Sequence, residues 1–335
     1  MIRIAINGFG RIGRAFVRAA HASGADIDIV AVNDLGDVAN LAYLLKYDRV
    51  YGRAPFDVKV EDGKIVAGKW TMAMLAQKDP AALPWRTIGI DIVVESTGFF
   101  TDGAKARTHL DAGAKRVVIT APATGEVTTA LIGVNDDRFK KPGPLTCNAS
   151  CTTNSVAPVL QILLESSGIK KASLITVHGY TASQRLVDAP DAKDPRRGRA
   201  AAVNIVPSTT GAAEAVIQAI PELEGKFDAV AIRVPTITGS LSVITALLAN
   251  PADARSLNDL FRASARQPRW SKVLTVTDVP IVSTDVIGEP YGAIIDAQLT
   301  RVTGDNLATI FSWYDNEAGY TSTLIEHIRR IAETI

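Results

Sequence analysis

The segment that decides the fold reads Ile2-Arg-Ile-Ala-Ile-Asn7-Gly8-Phe-Gly10-Arg11-Ile12-Gly13-Arg14 and runs on into Ala-Phe-Val-Arg-Ala-Ala. Its first six residues are a short apolar run with β-branched side chains, the composition of a buried parallel strand. The last stretch is a good helix former. Between them lies Gly-x-Gly-x-x-Gly. Gly8 permits the tight turn, Gly10 lets the backbone approach a pyrophosphate, and Gly13 lets helix and strand pack closely. A helix N-terminus then faces the anion with unpaired N–H groups. A second strand, Ile27-Asp-Ile-Val-Ala-Val-Asn33, ends at Asp34, about 20 residues after Gly13, where a carboxylate takes the hydroxyls of an adenosine ribose. A carboxylate there repels a 2′-phosphate, which favours NAD over NADP.

Outward from that unit the alternation continues. A helix is predicted over 37–47, a strand over Asp91–Glu95 ending in Ser96-Thr97-Gly98, a helix over 104–112 and a strand over Arg116–Thr120. Strand alternating with helix predicts a parallel sheet whose ligands sit at the carboxyl ends of its strands. Residues 55–75 alternate differently and predict an antiparallel excursion.

Both cysteines of the chain fall in Cys147-Asn-Ala-Ser150-Cys151-Thr152-Thr-Asn154. Two thiols cannot build a disulfide framework, and a thiol among hydroxyls and amides suggests a nucleophile. The following run has helical spacing, so Cys151 is expected in a first turn, where the dipole favours a thiolate. A Cys nucleophile needs a base. Of four histidines, His178 ends an apolar strand predicted over 171–180, while His21, His109 and His327 read as solvated or packing residues in helices or loops. An Arg-rich stretch follows, with Arg185, Lys193, Arg196, Arg197 and Arg199. Then Pro207-Ser-Thr-Thr210-Gly211 opens a helix with groups suited to phosphate. Strands near 227–234, 240–248, 291–299 and 307–314, a helix near 255–264 and a terminal helix near 318–334 complete an α+β half.

Composition bounds the remaining classes. The 335 residues suggest two domains, and a formal net charge of +1 offers no field for nucleic acid or an anionic membrane. No apolar run is long enough to span a bilayer, no secretory leader is read, and free thiols fit a reducing cytoplasm. No metal is expected.

Taken in order, the motifs resemble phosphorylating glyceraldehyde-3-phosphate dehydrogenases: Ile-Asn-Gly-Phe-Gly-Arg-Ile-Gly-Arg at 6–14, Leu-Leu-Lys-Tyr-Asp at 44–48, Val-Glu-Ser-Thr-Gly at 94–98, Asn-Ala-Ser-Cys-Thr-Thr-Asn at 148–154, His-Gly-Tyr-Thr at 178–181, Arg-Val-Pro-Thr at 233–236 and Trp-Tyr-Asp-Asn-Glu-Ala-Gly-Tyr at 313–320. The resemblance implies a Rossmann-type doubly wound domain over 1–150, completed by the C-terminal helix (about 316–335), and a catalytic domain over 151–315 with a largely antiparallel sheet. It implies NAD as cofactor, held by Gly8, Gly10, Arg11, Ile12, Gly13, Asp34, Lys78, Thr97, Thr120 and Asn316. Cys151 is implied as nucleophile and His178 as base. One anion site maps to Ser150, Thr152, Thr210 and Gly211, for inorganic phosphate. The other, for the phosphate of glyceraldehyde 3-phosphate, maps to Thr181, Arg233 and Arg197 or Arg199. A cytoplasmic homotetramer is the implied assembly.

Several positions depart from the family pattern. Ser155 stands where many members have a second Cys, and Cys147 precedes the nucleophile by four residues. A Cys147–Cys151 disulfide that silences the site is therefore expected under oxidation. Ala189-Pro190 replaces the Leu-Pro of many NAD-using members, which keeps an NADP-accepting variant open, and 236–242 is an uncommon run. Other readings are an erythrose-4-phosphate dehydrogenase, a non-redox cysteine acyltransferase and a non-catalytic NAD-binding module. The intact Pro-Ser-Thr-Thr-Gly, the glycine fingerprint, and retention of Cys151, His178 and Asn316 argue against them in turn.

Overall fold

The structure is a computed structural model that describes residues 1–192 and 194–335; Lys193, singled out above, lies outside the described residues. The chain divides into two compact units. One comprises residues 1–131, 135–149 and 324–335, the other 132–134 and 150–323.

The first unit begins with β1 (Ile2–Asn7), α1 (Arg11–Ala22), β2 (Ile27–Asn33), α2 (Val38–Lys46) and a small hairpin, β3 (Tyr47–Asp48) with β4 (Gly52–Arg53). It continues through β5 (Val58–Glu61), β6 (Lys64–Ala67), β7 (Trp70–Leu75), α3 (Trp85–Ile88), β8 (Ile92–Glu95), α4 (Gly103–Ala106), α5 (Thr108–Asp111), β9 (Arg116–Ile119), β10 (Thr128–Thr129) and β11 (Leu145–Cys147). Nine strands form one sheet in the order β10-β11-β9-β8-β1-β2-β7-β6-β5. The six neighbour pairs from β10 to β7 are parallel, and β5-β6-β7 is an antiparallel meander at the edge. β1 is central because Ile4, Ala5 and Ile6 are covered on both faces of the sheet. The strand order turns back at β1, between β2 and β8, so the carboxyl ends of these strands open a crevice. The predicted helix over 104–112 is interrupted. Arg107 separates α4 from α5, and Asp102 caps α4 by accepting from the Ala104 and Lys105 N–H groups.

The second unit holds α6 (Cys151–Ser166), β12 (Ile169–Gly179), β13 (Val206–Ser208), α7 (Ala212–Ala219), β14 (Phe227–Val234), β15 (Ser240–Leu248), α8 (Ala254–Ala265), β16 (Leu274–Thr277), β17 (Ala293–Asp296), β18 (Arg301–Thr303) and β19 (Leu307–Tyr314). Its sheet runs β13-β14-β12-β15-β19-β17-β16, with β18 on β19. It is antiparallel except for β12/β14 and β16/β17. Strict alternation along β15 buries Ser240, Ser242, Ile244, Ala246 and Leu248 on one face, which packs under α6. The last helix, α9 (Ala318–Ala332), groups with the first unit from Leu324 onward. There His327 Nδ1 donates to Ala130 O at 3.0 Å and Nε2 accepts from Thr146 at 2.8 Å. The fold is thus a doubly wound parallel sheet joined in sequence to an α+β unit with a largely antiparallel one.

Candidate active site

In the first unit the glycine loop has the shape its spacing demands. Gly8 sits at φ +94°, and a Cβ there would lie 2.7 Å from Thr97 N; at Gly13 it would lie 2.4 Å from Gly8 O. Gly10 is the opposite case, with nothing within 4 Å of a Cβ, so the loop presents bare backbone to open space at the start of α1. Asp34 Oδ2 accepts from Phe9 N at 2.7 Å and Oδ1 from Gly36 N at 2.8 Å, which ties the loop to the end of β2. A cavity of about 620 Å³ opens here, bordered by Gly8, Gly10, Asp34, Lys78, Thr97 and Phe99 among others. A concave groove with a bare glycine backbone, a helix start and a carboxylate fits the pyrophosphate and ribose of NAD. Arg11 and Ile12 contribute the first turn of α1. The Arg11 guanidinium itself is turned to Asp48, so its offering to an anion is backbone. The Thr120 hydroxyl donates to Glu95 O at 3.0 Å at the end of β9.

Beneath that groove lies a polar cluster that the sequence did not announce. Glu95, 2% exposed, accepts from Thr97 N (2.9 Å), Thr97 Oγ1 (2.5 Å), Asn7 Nδ2 (2.6 Å) and His109 Nε2 (3.0 Å). Trp85 Nε1 donates to His109 Nδ1 at 3.0 Å. His109 is fully buried, a correction to its placement in a surface helix or loop, and His327 is a packing residue, fully buried in the last helix; burial lowers the His327 imidazole to about 4.

In the second unit Cys151 is the first residue of α6. Ser150 is its N-cap, accepting from Thr153 N at 3.1 Å, and Ala149 just before it holds φ +50°, a left-handed conformation unusual for a residue with a Cβ. Cys151 Sγ lies 3.4 Å from His178 Nε2. The other side of the ring meets Gly179 O at 2.7 Å and Arg233 Nη1 at 2.6 Å, both at Nδ1. Arg233 is there because β12 and β14 run parallel with His178 and Arg233 as register partners. Burial and then the Arg233 charge push the His178 imidazole down to about 3. Burial also pushes the Cys151 thiol up. The Arg233 charge and hydrogen bonds from Thr152 oppose that without reversing it. The thiolate expected from the helix start is therefore not the favoured resting form; desolvation outweighs the dipole.

The remaining expected residues are distributed as follows. Thr152 is buried, and its hydroxyl meets Tyr314 OH at 3.0 Å, which in turn meets Thr176 Oγ1 at 2.8 Å. Asn316 Oδ1 accepts from Ser240 Oγ at 3.0 Å, and Ser240 Oγ accepts from Gly179 N at 3.2 Å, so the amide is tied to the strand that carries His178. Thr210 Oγ1 accepts from Ala212 N at 3.2 Å, and Gly211, the N-cap of α7, is exposed. Thr181 meets Ser183 Oγ at 3.0 Å. The arginines separate. Arg199 is turned to exposed Asp188 and Arg196 to Asp194, carboxylates supplied by the same loop, whereas the Arg197 charge acts on Arg233. Cys147 is fully buried, its thiol 3.2 Å from Thr129 Oγ1, and burial pushes it up, which leaves little thiolate for a disulfide. Sequence reasoning gave no role to Tyr314, Ser240, Asn7, Glu95 or Asp315. Asp315 accepts from Gly288, Glu317 and Ala318 N–H groups and shapes the turn that carries Asn316. Tyr314 and Asp315 did lie inside the Trp-Tyr-Asp-Asn-Glu motif.

A thiol facing an imidazole at a helix start, in a chain that also builds a dinucleotide crevice, defines the class: dehydrogenases that oxidise through a covalent sulfur adduct. Comparison with known proteins makes the assignment narrower. Residues 2–103 match the NAD binding domain of glyceraldehyde 3-phosphate dehydrogenase and residues 150–316 match its C-terminal domain. The chain is 48% identical over 335 residues to glyceraldehyde-3-phosphate dehydrogenase 1 of Streptomyces avermitilis, covering 100% of this chain and 99% of that one. It is 49% identical over 341 residues to the glyceraldehyde-3-phosphate dehydrogenase of Mycolicibacterium smegmatis, with the same coverage. It belongs to the glyceraldehyde-3-phosphate dehydrogenase family.

Proposed function

We propose that the chain oxidises glyceraldehyde 3-phosphate and captures the product with inorganic phosphate as 1,3-bisphosphoglycerate, using NAD. The observation that carries this reading is the Cys151–His178 pair at 3.4 Å with Arg233 against the far side of the ring. Cys151 Sγ adds to the aldehyde carbon and gives a hemithioacetal. His178 Nε2 takes the hydroxyl proton as the carbon is oxidised. NAD, when bound, supplies the hydride acceptor. The thioester left on Cys151 is attacked by a phosphate oxygen, the C–S bond breaks, and the thiolate is restored. Holding the acyl group on sulfur keeps it from water until phosphate arrives.

The placements support the following roles. Gly8, Gly10, Gly13 and the backbone of Arg11 and Ile12 take the pyrophosphate, Asp34 the ribose, and Lys78, Thr97 and Thr120 border the cofactor. Asn316 takes the nicotinamide carboxamide. Arg233 with Arg197 and Thr181 takes the substrate phosphate, and Ser150, Thr152, Thr210 and Gly211 the attacking one. The domain assignment belongs to the same reading: a cofactor domain ending near 150 and completed by the C-terminal helix, and a catalytic domain after it. A cytoplasmic homotetramer does too. Leu186, Val187, Val203 and Ile205 are 70–81% exposed on the Arg-rich stretch, apolar surface that a second copy of the chain would cover.

The test is NADH and NADPH formation from glyceraldehyde 3-phosphate with and without inorganic phosphate. Phosphate-dependent reduction of NAD, with NADP much poorer, is the expected result. Turnover that ignores phosphate would overturn the phosphorolysis step, and equal use of NADP would overturn the role of Asp34.

A further inference from the structure

Glu95 is a sealed carboxylate that no catalytic step uses, and its side-chain partners all donate to it. Its side chain is 1% exposed. On Oε1 it accepts from the Thr97 N–H and hydroxyl. The other contact of that hydroxyl, Phe99 N at 3.1 Å, is itself a donor, so the Thr97 proton goes to Glu95. On Oε2 it accepts from Asn7 Nδ2 and His109 Nε2. Backbone groups fix the first of these directions. Gln77 N–H donates to Asn33 Oδ1 at 2.8 Å, which turns Asn33 Nδ2 to Asn7 Oδ1 at 2.7 Å and leaves Asn7 Nδ2 for Glu95. Trp85 Nε1 fixes the second, because it donates to His109 Nδ1 at 3.0 Å. An imidazolium would set two donors against each other there, so the ring is neutral with its one proton on Nε2.

The cluster therefore carries a single negative charge, on Glu95. Four donors hold it, and no lysine or arginine among the described residues pairs with it. Only Thr97 and Asn7 stand between this charge and the cofactor groove, which both border. In a doubly wound sheet the adenosine lies on the β2 side, where Asp34 stands, and the rest of the dinucleotide crosses β1 toward β8 and β9. Glu95 ends β8, and its carbonyl accepts from Thr120 at the end of β9.

We propose that Glu95 determines which redox form of the cofactor the groove prefers: its sealed charge favours oxidised NAD, whose pyridinium is a cation, over NADH, whose ring is neutral. This rests on the function proposed above, in which NAD is reduced in this groove. Glu95 acts through its field, without touching the cofactor. Buried behind Thr97 and Asn7, it is screened far less than a surface charge. Its repulsion of the pyrophosphate is common to both forms and cancels in their ratio. The attraction is present when NAD arrives and vanishes when hydride neutralises the ring, so turnover itself loosens the hold on the product.

The experiment is calorimetric titration of NAD, NADH and ADP-ribose, without substrate, into wild type, Glu95→Gln, Thr97→Val and the double variant Glu95→Gln/Asn7→Asp. In wild type NAD should bind at least about threefold more tightly than NADH, and in Glu95→Gln the ratio of the NADH Kd to the NAD Kd should fall about threefold or more, as loss of one poorly screened charge requires. Thr97→Val disturbs the groove but keeps the carboxylate, so it should weaken all three ligands alike and leave the ratio unchanged. The double variant moves the charge by one side chain. Position 7 already lies within reach of Asn33 Nδ2, residue 95 and His109 Nε2, the last at 3.3 Å, so a carboxylate there finds donors on every side. It should recover the wild-type ratio. A Glu95→Gln protein that loses NAD and NADH affinity equally has lost only a structural support, and that result overturns the inference. Equal binding of NAD and NADH by wild type overturns it even where Glu95→Gln fails to fold. Absence of a first-turnover burst of NADH from glyceraldehyde 3-phosphate in wild type would instead overturn the function and leave the binding ratios standing.

Discussion

Replacing Glu95 by Gln changes one oxygen into an NH₂ and nothing else in size, yet the surroundings leave the amide no good orientation. On the Oε1 side it faces the Thr97 backbone N–H at 2.9 Å, which cannot turn away. On the Oε2 side it faces Asn7 Nδ2 at 2.6 Å and His109 Nε2 at 3.0 Å. Asn7 cannot flip without cost, because its Oδ1 accepts from Asn33 Nδ2 at 2.7 Å, and Asn33 is locked by Gln77 N at 2.8 Å. His109 cannot shift its proton, because Trp85 Nε1 is a donor only and already occupies Nδ1. One or two buried donors therefore lose their acceptor, at about 1–3 kcal/mol each, or about 1–6 kcal/mol in all. Thermal denaturation should show a fall of roughly 2–8 °C. Thr97, which Glu95 holds through both its N–H and its hydroxyl, borders the NAD groove, so calorimetric titration should find NAD binding weakened about tenfold. The rate at which iodoacetamide alkylates Cys151 in NAD-free protein should be unchanged. A Glu95→Gln protein within about 0.5 kcal/mol of wild type, binding NAD normally, would refute the reasoning, since that is the scatter of a surface substitution.

Other expectations follow from the same contacts. His178→Asn should lower the burst rate about 10²–10⁴-fold and flatten its acid limb, measured by stopped-flow absorbance; a limb that survives would assign it to another group. Asp34→Ser should raise the KM for NAD about tenfold or more and narrow its lead over NADP, and an unchanged ratio in steady-state kinetics would remove Asp34 from the ribose. Acid should destabilise the fold through its buried histidines. His178 (about 3) and His327 (about 4) lie below the unfolded value of 6.5, so between these values the unfolded chain binds more protons. Their contribution is complete above pH 6.5 and is lost as pH falls toward the folded values. Urea midpoints taken downward from neutrality should decline, and a flat profile would contradict neutral burial of both rings.

What could be read in advance, and what could not, divides along chain distance. The glycine loop was legible because its requirements are local: a turn, a close approach and a helix start within a few residues, each with a steric reason for glycine. The position of Cys151 was legible for the same reason, with Ser150 as cap and an apolar run behind it. Its protonation was not, because desolvation depends on what the rest of the unit packs over it. His178 could be nominated but not paired, and its contact with Arg233 depends on the parallel register of β12 with β14, across 55 residues. The Glu95 cluster was invisible: Asn7 and Glu95 read as strand ends and His109 as a surface residue, and only the sheet order β8-β1-β2 brings them together. In both units, then, the chemistry stands on polar side chains that meet at the carboxyl ends of parallel neighbours, and which residues meet there is a property of strand order. That is why the nucleophile and the cofactor loop show in the sequence while the groups that set their proton positions do not.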